Sequence, residues 1–115
     1  MYKNLVLYRN ELKNKSIYKY KLMGIVANLL LSKEIFLRNN DINSFLLKVF
    51  DIEFKEYIMK SRTLISSHVI KIIFNSEDDT VYQKKLLEFV LEKIENFKSN
   101  EMIKEEKNNF DGWMK

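Results

Sequence analysis

A chain of 115 residues, 46% hydrophobic and 31% charged, has the size and composition of one domain with its own core. With no cysteine and a single histidine it excludes disulfides, thiolate catalysis and Cys- or His-built metal sites, and no cofactor is expected. The formal charge of +4 is unevenly placed: residues 1–75 carry a net +7 and residues 76–115 a net −3.

The chain has no proline and only two glycines, Gly24 and Gly112, so little interrupts a helix. This predicts an all-α fold, a compact bundle of about four to five helices over residues 1–98 with a polar tail over 99–115. Lysine, asparagine and isoleucine are abundant, as the codons of an AT-rich genome favour, so lysine count alone says little about partners. The run Leu5-Val6-Leu7-Tyr8 ends at Arg9, which makes no apolar leader, and Leu22 to Leu31 is about half the ~20 residues a membrane span needs. The expectation is a cytoplasmic protein with no membrane partner.

Residues 2–12 read as a short strand or a first helix, with Leu5, Tyr8 and Leu12 at helical spacing. Asn14 or Ser16 can cap the next helix, expected from Ile17 to about Phe36. There Lys21, Asn28 and Ser32 form one narrow polar stripe, so the helix should be central. Gly24 inside it predicts close approach of a neighbouring helix. Asn39-Asn40-Asp41 gives the clearest break, with Asp41 as N-cap. Ile42, Phe45, Leu46 and Val49 then mark an amphipathic helix. After a turn at 51–53, a helix from Phe54 either runs to Phe74 or restarts at Ser61. The β-branched run Val69 to Phe74 is read as buried helix, since no partner strand with turn glycines exists. Asn75-Ser76 ends that element, and Glu77, Asp78 and Asp79 suit the first turn of a last helix. Leu87, Val90, Ile94 and Phe97 are spaced 3, 4, 3, a seam for the bundle or for a dimer, ending near Lys98. The polar tail closes on Phe110 and Trp113, two aromatics that either dock back on the bundle or bind a partner.

Three functional readings follow. In the first, a small non-enzymatic regulatory protein contacts nucleic acid through its basic N-terminal two-thirds. Lys13, Lys15, Lys19 and Lys21 would meet phosphates. Lys55 and Arg62 would join them from the exposed face of a helix-turn-helix over 41–50 and 54 onward, together with Met59 and Ser66. In the second, a protein-interaction or inhibitor module uses the apolar seam and the tail residues Phe110 and Trp113; a homodimer is among the partners considered. The tyrosines Tyr18, Tyr20, Tyr57 and Tyr82 are expected at the edge of the core.

The third reading rests on Arg62-Thr63-Leu64-Ile65-Ser66-Ser67-His68. This segment resembles the Arg-x(4–6)-His signature of HEPN ribonucleases, helical bundles of similar size. The resemblance implies metal-independent RNA cleavage at a dimer groove, with Arg62 on the phosphate and His68 as general acid or base. Thr63 stands where that family commonly has Asn, Asp or His. Six positions along one helix also set the pair about 120° apart. Read from the residues alone, Arg62 is a surface or capping residue and His68 a partly buried histidine beside the stripe Thr63, Ser67 and Lys71.

Overall fold

The computed structural model describes the backbone of residues 1–15 and 17–113 and the side chains up to Asn100, Ser16 excepted. It is all-α, and no strand occurs among the described residues. The main elements are α1 (Tyr2–Leu12), α2 (Lys19–Leu31), α3 (Ile42–Phe45), α4 (Glu56–Met59), α5 (Arg62–Asn75) and α6 (Thr80–Trp113).

Two antiparallel pairs make the bundle, α2 with α5 and α1 with α6. Each is tied by side-chain hydrogen bonds to main-chain carbonyls. The Gln83 side-chain amide donates to the carbonyls of Leu12 (2.9 Å) and Asn14 (2.7 Å), tying the start of α6 to the end of α1. Between the pairs lies one apolar cluster holding Leu5, Leu22, Leu29, Phe45, Ile65 and Val90, among others. Ile42, Phe45, Leu46 and Val49 are all buried, as their spacing predicts. Phe45 sits at the centre of an aromatic group, 4.7 Å from the Phe89 ring and 5.4 Å from that of Phe36.

The segment 39–50 is one bent helical stretch: a 3-10 turn at Asn39–Asp41, then α3, then a π-helical widening at Leu46–Phe50. Asn39 therefore opens an element, and the real break lies earlier, where α2 stops at Leu31 rather than near Phe36. Asp51 ends the π segment in the left-handed region, at φ 54° and ψ 43°. The stretch from Phe54 does not run through: α4 is a single turn, and α5 restarts behind Ser61, whose Oγ accepts from the Leu64 N–H at 3.2 Å. Val69 to Phe74 is helical within α5.

Glu77, Asp78 and Asp79 precede α6 rather than filling its first turn. The Asp78 carboxylate caps it instead, accepting from the Thr80 hydroxyl (2.6 Å) and N–H (2.9 Å). The last helix continues past Lys98 to Trp113. Residues 101–111 contain good helix formers and no proline or glycine, so nothing in the sequence stops it. No helix among the described residues is long and apolar enough to cross a membrane.

Candidate interaction site

Both ends of the α2–α5 pair are held by a cation that donates to several main-chain carbonyls. Lys19, in the first turn of α2, reaches the last turn of α5 and donates to the carbonyls of Ile73 (2.9 Å), Phe74 (3.2 Å) and Ser76. Asp79 lies 3.6 Å from the same ammonium. Arg62, the first residue of α5, does the reverse. Its guanidinium donates to the carbonyls of Leu30 (2.9 Å), Ser32 (3.4 Å) and Phe36, and its Nε to Asn39 Oδ1 (2.7 Å). Asn39 in turn donates to the Met59 carbonyl at 2.9 Å. Each helix thus supplies the cation that satisfies the orphan carbonyls at its neighbour's C-terminal end, where the macrodipole is negative.

These clamps redistribute the expected basic surface. Lys19 and Arg62 are directed inward, and Lys21 pairs with Glu11 at 3.2 Å. Lys55 is exposed, but as the N-cap of the single-turn α4. The proposed recognition face does not form, because Met59 and Ser66 are buried. Lys13 and Lys15 remain exposed, and with Lys84 they surround a hollow of about 250 Å³ floored by Leu12 and Leu87. Arg62 and His68 share no hydrogen bond. The imidazole of His68 is half-buried with its ring 5.5 Å from that of Phe54, while the Arg62 guanidinium points to the end of α2. No trio of His, Cys, Asp or Glu arranged for a metal occurs among the described residues.

Apolar surface gathers elsewhere. Leu86, Val90 and Ile94 are buried and Leu87 and Phe97 half-buried, so the α6 seam is filled from within the bundle. The side chains of Phe110 and Trp113 lie outside the described residues. On α2, however, the expected central helix has an open outer face. Tyr20 is 67% exposed and Leu31 53%, with Gly24 exposed and Ala27 half-buried between them. Tyr20 is held by Tyr18, the two rings stacked 5.6 Å apart, so these tyrosines are surface features and not core-edge residues. Tyr57 is exposed as well, and only Tyr82 of the four packs inward, against Phe50.

Beside this stripe, between α1 and α2, runs a groove of about 300 Å³ with Leu7, Tyr8 and Ile25 on its walls, Gly24 on its floor and the Lys21–Glu11 pair at its rim. Leu7 is 60% exposed there. A Cβ built on Gly24 would meet no atom of the described residues within 4 Å, so none of these supplies the neighbouring helix that the sequence predicts for this glycine. A larger cleft, about 470 Å³, lies over Phe36, Phe45 and Phe89, but those rings are buried and its rim sets exposed Leu37 among the charges of Glu34, Asp41, Lys48, Glu92 and Lys93. Comparison of the chain with protein-family models, curated proteins and solved structures gives no match.

Proposed function

We propose that this protein is a non-enzymatic interaction module that presents the outer face of α2, with the α1–α2 groove beside it, to an apolar helix of another polypeptide chain. The observation carrying this reading is Gly24. A glycine in an exposed helix interior costs about 1 kcal/mol relative to alanine, and here alanine would fit without contact. Between exposed Tyr20 and Leu31, at the 4-3-4 spacing that packs helix on helix, such a residue serves close backbone approach by something outside the fold.

The test is a photo-crosslinking amino acid placed at Leu31 in the producing cell, followed by reconstitution of the captured chain with purified protein. The expected result is a defined chain that binds the purified protein and is lost with Gly24→Leu. Crosslinking no stronger than from exposed Ser99, or binding indifferent to Gly24→Leu, would overturn the reading.

The hollow ringed by Lys13, Lys15 and Lys84 favours a second reading, contact with nucleic acid phosphates. Three such contacts predict a roughly 20- to 40-fold loss of affinity between 50 and 200 mM salt. Replacing those three lysines with glutamine should remove the binding, whereas Lys21→Gln should change it little, since Lys21 already has an acidic partner. Binding that keeps its salt slope after the triple change would refute this assignment.

A further inference from the structure

The chain that covers the α2 face has no stated identity in the interaction reading, and the residues of the face themselves point to one. We infer that it is a second copy of this protein, with α2 packed antiparallel against α2 of the partner. The inference rests on the interaction reading above and narrows it to one occupant.

The stripe runs Tyr20, Gly24, Ala27, Leu31, large-small-small-large, and keeps that order of sizes when read from either end. A two-fold axis between Gly24 and Ala27 sets Gly24 against Ala27 of the partner subunit at the crossing. It sets Tyr20 against Leu31 of the partner subunit at each end. This is the self-complementarity an isologous interface requires: the small pair lets the backbones approach and the large pairs close over it. Tyr18, stacked on Tyr20, stiffens each large end. Leu7, exposed across the groove from Gly24, adds apolar wall beside the crossing.

The helix dipoles select the antiparallel sense. The basic residues at the N-terminal end of α2 are already engaged, Lys19 on the end of α5 and Lys21 with Glu11. Exposed Lys33 and Glu34 follow the last turn, with Glu34 3.6 Å from the Met1 ammonium. A parallel pair would align the two macrodipoles, whereas an antiparallel pair opposes them favourably.

The test uses the full chain in sedimentation velocity from about 5 to 500 µM, a range suited to an interface built on one helix face. The weight-average mass should climb from 13.9 kDa toward twice that value. Gly24→Leu should raise the dissociation constant at least tenfold with an unchanged helical spectrum, because Gly24 is exposed and a Cβ there meets no atom of the described residues within 4 Å.

Register is read by cross-linking in a protein that has no cysteine of its own. With Tyr20→Cys and Leu31→Cys proteins mixed, a bis-maleimide of about 8 Å should join unlike variants. Like positions would lie about 16 Å apart along the axis, at 1.5 Å per residue. A monomer over the whole range overturns the inference but leaves the interaction reading to a different chain. A dimer indifferent to Gly24→Leu overturns both, and cross-links dominated by like variants overturn the antiparallel arrangement.

Discussion

Replacing Arg62 with alanine should destabilise the protein by about 2–4 kcal/mol and abolish no catalytic activity. The side chain makes four hydrogen bonds, to the carbonyls of Leu30, Ser32 and Phe36 and to Asn39 Oδ1, in a half-buried setting. A hydrogen bond from a charged donor contributes about 1.5–3 kcal/mol when buried, and water reaching this rim recovers part of that on truncation, which sets the range. Arg62→Lys should rescue less than half. One ammonium cannot reproduce a planar fork that spans acceptors on both sides of the chain leaving α2. The assay is urea unfolding followed by helical ellipticity, with m compared between variants to confirm that the same surface is exposed. Purified wild type should not cleave RNA in EDTA. A loss below ~1 kcal/mol for Arg62→Ala, or full rescue by lysine, would show that the clamp does not hold the fold. RNA cleavage lost in both Arg62→Ala and His68→Ala, each still folded, would return the pair to the ribonuclease reading.

Gly24→Ala, measured at concentrations where the chain is monomeric, should raise stability by about 0.5–1 kcal/mol, since the Cβ enters open space; a decrease in urea midpoint would contradict the open face. Asp51→Gly should stabilise by about 0.5–1 kcal/mol because Asp51 adopts φ 54°, and a destabilised variant would show that the Asp51 side chain matters more than its backbone. The Asp78 carboxyl is held below its ordinary value by the Thr80 hydroxyl and then the Thr80 N–H, so its contribution is complete above the unfolded-state pKa and disappears as pH falls through the lower folded value. Stability measured downward from pH 6 should therefore fall less steeply at the acid end in Asp78→Ala than in wild type, and parallel profiles would refute the cap.

Element type was legible wherever apolar periodicity was strong, as at Ile42, Phe45, Leu46 and Val49, because one buried face dictates both the period and the core. The restart at Ser61 was legible as one of two options, since serine there caps a helix by its own side chain. The break after α2 was not. Residues 32–38 contain no proline or glycine, and the stretch departs from helix where the Arg62 guanidinium takes the carbonyls of Ser32 and Phe36. Main-chain acceptors leave no mark in a sequence, so a lysine or arginine that serves them looks like any surface cation. Lys19, whose acceptors lie 54 to 57 positions away, for that reason looks in the sequence like a phosphate contact. Gly24 was legible in kind but not in partner: the residue type implies close approach, yet only the packing shows that none of the described residues makes it.

The clamps and the open face belong to one arrangement. A helix with a large exposed apolar stripe risks fraying or rotating to bury it, and α2 has no side-chain cap at its first residue and no basic residue in its last turn. What fixes α2 comes from α5. Lys19 anchors the first turn of α2 to the end of α5, and Arg62 holds the exit of α2 from the start of α5, while Leu22, Val26, Leu29 and Leu30 are buried. With both ends pinned and the inner face packed, the outer stripe is presented in a single rotation, and little order is left to be lost on association. Lys19 and Arg62 thereby act twice in one geometry: at their tips they satisfy carbonyls within the fold, and by doing so they hold Tyr20, Gly24, Ala27 and Leu31 in line for the helix proposed to meet them.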